Sequence, residues 1–434
     1  MENHNEQFLA LPGTGPLRTE APIPERKLMN IHDGVRLGQR GQHRGRIRSF
    51  ATVFVAACAL SLGTSGGVAG ASAVHHPTKV AAKGKLTASQ VASLEAALTA
   101  GRRPSHWRAG GPAFSAKGLK GKTLFLLNDG TNQFSASFAS GVEAATKDVG
   151  MTFETGSGNS STTQDVQVLE NAVNAHVSVI VLTAETPSTL SSALLRAKAA
   201  GIPVIETFIG DPHLPSAADK SIGIYADATY CYSCTGALAA EYEILKHNGV
   251  MDSQVSQFPG SPPSDATALG WVKTLKSYCQ KSCKVVDNNL SLSGNYVQAI
   301  QQATQVATQG GQINVMFPVY DFQMGFMLPE IEAAGAQKRI DMASENADLA
   351  QMQELKAGIS VKVDVGNPVA WDGWGAVDQA LRALKKLPAV ADEKVPVRLF
   401  DTSNVNSINL SANPASWYGG ATYGADYLRL WGLH

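Results

Sequence analysis

VIVLTAETPSTLSSALLRAKAAGIPVIETF, residues 179–208, holds the architecture of this chain in miniature. It opens on a short apolar run. A stretch with helical spacing follows, Gly201 closes it, and a second apolar run begins at once. Two strands apolar on both faces, joined by a helix, make a βαβ unit, and its strands must lie parallel. The same kind of run recurs at TLFLL (123–127), VSVIVLT (177–183), INVMFP (313–318) and RIDMA (339–343). Four times a helix-like segment ends in glycine before a strand: KDVG-MTFE, KAAG-IPVI, KHNG-VMDSQV and EAAG-AQKRIDM. Glycine there suits the left-handed position that ends a helix. This alternation predicts an α/β fold with parallel sheets covered by helices on both faces. About ten strands in some 300 residues exceed one sheet, so they divide into two lobes.

The composition excludes several classes. Of 434 residues, 44% are hydrophobic and 17% charged, with 36 basic residues against 36 acidic ones. No basic excess exists to neutralise phosphates, which argues against a nucleic-acid partner. No apolar run reaches the roughly 18 residues of a membrane span. Five cysteines are too few for a small disulfide scaffold. G-x-S-x-G, H-E-x-x-H, Walker A and G-x-G-x-x-G after a strand are all absent. The histidines are scattered, without metal-site spacing to cysteines or carboxylates, so neither cofactor nor metal is expected, and no catalytic residue.

The amino terminus reads as an export signal. VRLGQRGQHRGRIR (35–48) is basic, Phe50–Leu62 is apolar on all sides, and Ala71-Ser72-Ala73 ends the stretch with small residues. That order fits a secretory signal peptide cleaved after Ala73. Val55-Ala56-Ala57-Cys58 resembles a lipobox, although Cys58 lies inside the apolar run, and Met29 is an alternative start. The expected division is 1–73 signal peptide with an extension, 74–121 linker and short helix, and 122–224 the first part of lobe one. Lobe two follows at 225–345, the second part of lobe one at 346–395, and 396–434 returns to lobe two. The 74–121 segment fits a tether or spacer, with Leu94 and Leu98 one helical turn apart.

Cys231-Tyr-Ser-Cys234 and Cys279-Gln-Lys-Ser-Cys283 form an even set. In an exported chain they read as two structural disulfides, paired locally as 231–234 and 279–283, although four cysteines allow three connectivities. Zinc binding by all four, or a redox-active Cys231/Cys234 pair in an exported enzyme, are the competing readings.

Several stretches, in order, resemble the type I periplasmic solute-binding proteins, most closely the ribose-binding branch. They are Asn132-Gln133-Phe134 with SASFASGVEAATKDVG, the 179–208 unit, IGIYADATYCYSCTGALAAEYE (222–243), MFPVYDFQMGFMLPEIEAAG (316–335) and ASENADLAQMQELKAG (343–358). The resemblance covers roughly 122–390, and ATYGADYLRLWGL (421–433) is similar to the tails of exported sugar-binding proteins of high-GC Gram-positive bacteria. It implies two Rossmann-like lobes joined by three crossover segments that close on a small molecule, a sugar or sugar-like compound. It also implies delivery to the permease and ATPase of an ABC importer; a sensor of the same fold facing a membrane receptor is the alternative.

Carried over by position, the resemblance assigns ligand contacts to Asn132 and Phe134 after the first strand and to Asp321 in lobe two. Phe134 also fits the core face of a helix, and Asp321 a helix N-cap. Elsewhere the pattern changes. Phe208-Ile209 stands where an Asp-Arg is expected, Asp265 where an Arg is, Asn346 where an Asp is and Gly366 where a Gln is. Both arginine positions are lost, which makes the pocket less cationic and more apolar than one for plain ribose. Thr186, after the third strand, and Tyr320 and Trp371, as stacking rings, complete the candidate site.

Overall fold

The computed structural model describes residues 86–433, apart from 129, 131, 160, 293 and 421. The signal-peptide reading, Cys58, Met29 and the linker up to residue 85 lie outside the described residues. Among the described residues no helix is long and apolar enough to cross a membrane.

In chain order the elements are α1 (Ala88–Arg102), β1 (Thr123–Leu127), α2 (Gln133–Asp148), β2 (Thr152–Gly156), α3 (Thr162–Asn174) and β3 (Val179–Thr183). Then come α4 (Ser191–Ala199), β4 (Val204–Thr207), α5 (Ala217–Ile222), β5 (Ile224–Ala228), α6 (Tyr232–Lys246) and β6 (Met251–Gln257). Next are α7 (Pro262–Cys279), β7 (Cys283–Asn289), α8 (Tyr296–Gly310), β8 (Val315–Pro318), α9 (Met324–Ala333) and β9 (Asp341–Glu345). The chain ends with α10 (Leu349–Ala357), β10 (Val361–Gly366), α11 (Val369–Leu384), β11 (Arg398–Asp401) and α12 (Tyr423–Leu430).

They form two sheets, ordered β2-β1-β3-β4-β5 and β11-β10-β9-β8-β6-β7. Every pairing is parallel except β10 with the edge strand β11. Strands such as β1 and β3 are buried on both faces because helices cover both. In lobe one, α2, α11 and α12 cover one face and α3 and α4 the other. In lobe two, α1, α6 and α7 face α8, α9 and α10 across the sheet. All four anticipated helix-ending glycines, Gly150, Gly201, Gly249 and Gly335, have φ between 63° and 79°.

Three boundaries differ from the sequence reading. α10 and β10 belong to lobe two, because β10 pairs with β9, so the return crossing lies at 367–368 and not at 346. The 86–121 segment is no spacer: Leu94 and Leu98 are buried against Ala239, Ala240 and Trp271, so α1 completes lobe two. The carboxy-terminal segment returns to lobe two only as far as Tyr418. Beyond it, Tyr427, Leu430 and Trp431 of α12 pack with Trp374 in the core of lobe one.

The chain therefore changes lobes at 229–231, 367–368 and 385–397, and twice more in the flanking segments, at 103–122 and between Tyr418 and Tyr423. The flanking pieces are joined by backbone hydrogen bonds, from Ser105 N–H to the Tyr418 carbonyl and from Phe114 N–H to that of Leu430. The cysteines are bonded as 231–234 and 279–283, with Cα separations of 5.2 and 5.5 Å.

Candidate functional site

In open parallel sheets small molecules bind beyond the carboxyl ends of the strands. Here those ends carry unusual backbone. Ala184 after β3, Phe208 after β4, and Asn346 and Ala347 after β9 have φ of 55°, 61°, 124° and 53°. A side chain in that region costs of order 1 kcal/mol or more and persists only where its surroundings enforce it, often at binding sites.

Lobe one contributes an aromatic wall. The Phe208 ring lies edge-on to Phe134 at 4.8 Å and Phe138 at 4.9 Å, and Tyr230 follows at 6.2 Å. Phe208 is fully buried, so it backs the half-buried Phe134. Lobe two has a counterpart, in which Tyr320, Phe258 and Phe322 lie nearly parallel, about 6 Å apart, with Tyr296 edge-on.

Polar groups tie the strand ends together. The Tyr230 hydroxyl, on the 229–231 crossing, donates to Glu345 Oε2 at 3.1 Å, and Asn346 Nδ2 donates to Oε1 at 3.3 Å. Asp321 accepts the Asp348 N–H at 2.7 Å, and Asp364 accepts that of Ala347 at 3.1 Å. These two carboxylates hold the 346–348 loop in its strained path. Between the lobes, Leu349 N–H donates to Gln133 Oε1 and Ser233 N–H to Asp211 Oδ1.

Two cavities draw their walls from both lobes. One, of about 290 Å³, is lined by Phe134 and Ser137 of α2, by Asn346 and Asp348, and by Asn367 and Tyr418. The other, of about 1020 Å³, lies between Thr186 and Ile209 of lobe one and Phe258, Ser261 and Tyr296 of lobe two.

Acidic side chains crowd these edges, and burial holds them toward their neutral form. Burial raises the pKa of Glu345 well above the carboxylate range, with Tyr230 opposing the shift, and pushes Asp348 up to about 6. Burial and the neighbouring Asp364 raise Asp321, and burial brings Asp364 itself up to about 7. Among the described residues no lysine, arginine or histidine forms an ion pair with any of these four.

The sequence-derived residues separate accordingly. Phe134, Asn346 and Thr186 line the cavities. Tyr320 and Phe208 support those walls. Asn132 caps α2 through Ser135 N–H, and Asp265 is exposed, accepting Gly260 N–H at the lip of the larger cavity. Asp321 is buried, accepts a hydrogen bond from the loop and lines neither cavity. Trp371 is fully buried in lobe one, stacked on Tyr423 at 5.1 Å, and lines neither cavity. Sequence reasoning missed Tyr230, Glu345, Asp348 and Asn367. Their signal is positional, since each stands at or just beyond the end of an apolar strand.

The expectation that no histidine meets carboxylates is also corrected. Glu243 and His247, one turn apart on α6, meet Asp341 at the start of β9, with candidate ligand atoms all within 4.8 Å. There His247 Nε2 lies 2.8 Å from Asp341 and 3.3 Å from Glu243, and Lys246 pairs with the other Asp341 oxygen. This ion-pair network sits at the base of lobe two, at the opposite end of its sheet from the cavities.

Residues 123–388 match the family model of the periplasmic binding protein domain. Comparison with curated protein sequences finds no match. Among solved structures, an ABC transporter periplasmic solute-binding protein from Actinobacillus succinogenes with bound D-allose aligns with a TM-score of 0.57 and 18% identity, over 67% of this chain and all of that one. A solute-binding protein from Agrobacterium vitis with bound allitol gives 0.59 and 20%, over 67% and 98% of the two chains. The 5-methylthioribose transporter solute-binding protein of Thermotoga lettingae gives 0.59 and 16%, over 73% and 94%. These likenesses establish the fold, and with the family match over more than half its length the chain belongs to the periplasmic binding proteins.

Proposed function

We propose that this protein is an exported solute-binding protein that captures one small sugar or sugar-like molecule between its lobes and delivers it to an ABC importer. The observation that carries this reading is the pair of cavities walled by both lobes, edged with aromatic rings and hydrogen-bonding groups. Aromatic faces pack against the C–H face of a sugar, and amides and carboxylates bond its hydroxyls. Contacts made from both sides exist only when the lobes are together, so a ligand shifts the population toward closure. The related proteins named above hold D-allose, allitol and 5-methylthioribose, which sets the ligand class to test first. No bond is made or broken in this scheme, because ATP hydrolysis belongs to the importer.

Calorimetric titration with a panel of monosaccharides, polyols and thiosugars tests it. Saturable binding at one ligand per chain is expected, and no binding across the panel contradicts the sugar reading.

A further inference from the structure

The smaller cavity has a chemical bias that narrows the ligand, on the reading just proposed. Among the described residues, its one charged wall residue is Asp348. The Asn367 side chain is 1% exposed, and its nitrogen is held by Asp372, so its Oδ1 is the end left over, with no hydrogen-bond partner. Asn346 likewise turns its nitrogen to Glu345. Tyr418, 2% exposed, lines the same cavity. The inner end of this cavity thus offers acceptor oxygens from Asn367, Asn346 and Asp348, beside hydroxyls that can both donate and accept, and the amide donors Gln133 and Asn413 stay at its exposed rim.

Burial without a counter-charge holds these carboxyl groups toward their neutral form, so a cationic guest beside Asp348 favours its ionised form and is stabilised by it. A neutral sugar gains hydrogen bonds there but no charge attraction to Asp348. An ammonium group offers three donors and no acceptor, matching a wall of acceptors, and a neighbouring aromatic face adds a cation–π attraction. Phe134 lines the same cavity. The cavity volume of about 290 Å³ suits a single ring.

We infer that the preferred ligand is an amino sugar or amino polyol, its protonated amine seated between Phe134, Asp348 and the Asn367 carbonyl oxygen.

The test uses the full chain and matched pairs: D-glucose with D-glucosamine, D-galactose with D-galactosamine, D-mannose with D-mannosamine and D-allose with D-allosamine. By calorimetry at low salt, the amine of at least one pair is expected to bind about tenfold tighter than its neutral partner, an advantage that high salt reduces. Asp348→Asn shrinks that advantage severalfold, and Ser137→Lys, which places a fixed cation in the cavity, abolishes binding of the amine. A neutral partner that binds as tightly as its amine overturns this inference and leaves sugar capture standing. An amine advantage that persists unchanged in both variants overturns the assignment to this cavity. Absence of binding by all eight compounds overturns the amine class and the sugar reading together.

Discussion

Asp321 shows how a residue type can be legible while its role is not. The carboxylate just past a buried strand was readable as a ligand contact or an N-cap, and the structure gives it a third task. Its oxygen takes the Asp348 N–H and so fixes the loop that presents Asn346 and Asp348. Nothing in one sequence reveals that partner, which is 27 residues away on another strand end. Asp321→Ala leaves a half-buried N–H without its partner and is expected to lower unfolding stability by about 1 kcal/mol, measured by urea denaturation. An unchanged midpoint would show that the brace carries no weight. His247 gives a second residue-scale outcome. Burial opposes its charge, but hydrogen bonds to Asp341 and Glu243 prevail and push its pKa up to about 9. Since the folded value exceeds the unfolded one, its stabilisation is complete below about pH 6.5 and is lost as pH rises through about 9. The melting-temperature gap between the wild type and His247→Gln should therefore narrow from roughly pH 6 to roughly pH 10. A constant gap would mean that folding does not shift the pKa of His247.

Elements were the most legible level, because helix-ending glycines and doubly apolar strands are local signals. The pairing of helices was not. In each lobe two helices cross through facing glycines, Gly141 of α2 with Gly373 of α11, and Gly236 of α6 with Gly270 of α7. A Cβ on Gly141 would sit 2.0 Å from the Ala370 carbonyl oxygen, and one on Gly236 2.0 Å from that of Thr267. These crossings set the helix N-termini that carry Phe134 and Tyr232. Gly236→Ala must push α7 away and is expected to cost about 1–3 kcal/mol in thermal unfolding. Stability equal to wild type would refute the close crossing. The misplaced boundary at 346 has a similar origin. VKVDVG reads as a buried strand of either lobe, and only its pairing with β9 decides which. The two disulfides differ in setting as well: Cys234 is exposed at the start of α6, whereas Cys279 and Cys283 are buried in lobe two.

At the scale of the molecule, the flanking segments alter the hinge. Three crossings lie within the length matched by the family model or at its edge, and two more come from 103–122 and the stretch after Tyr418. The last two run side by side, bonded through Ser105 and Tyr418. Lobe motion must bend all five, which restricts it to rotation about the crossing strip. The sequence displayed two lobes and a cleft through the order of its strands. It hid the extra crossings, because a helix and a loop ahead of the first strand look like a tether until their apolar side chains find a lobe. The central claim is that these lobes shut on a guest. Small-angle X-ray scattering, across a titration with the sugar that calorimetry ranks tightest, tests it most directly. The radius of gyration should fall and level off at one ligand per chain, whereas a radius unchanged at saturation would contradict closure.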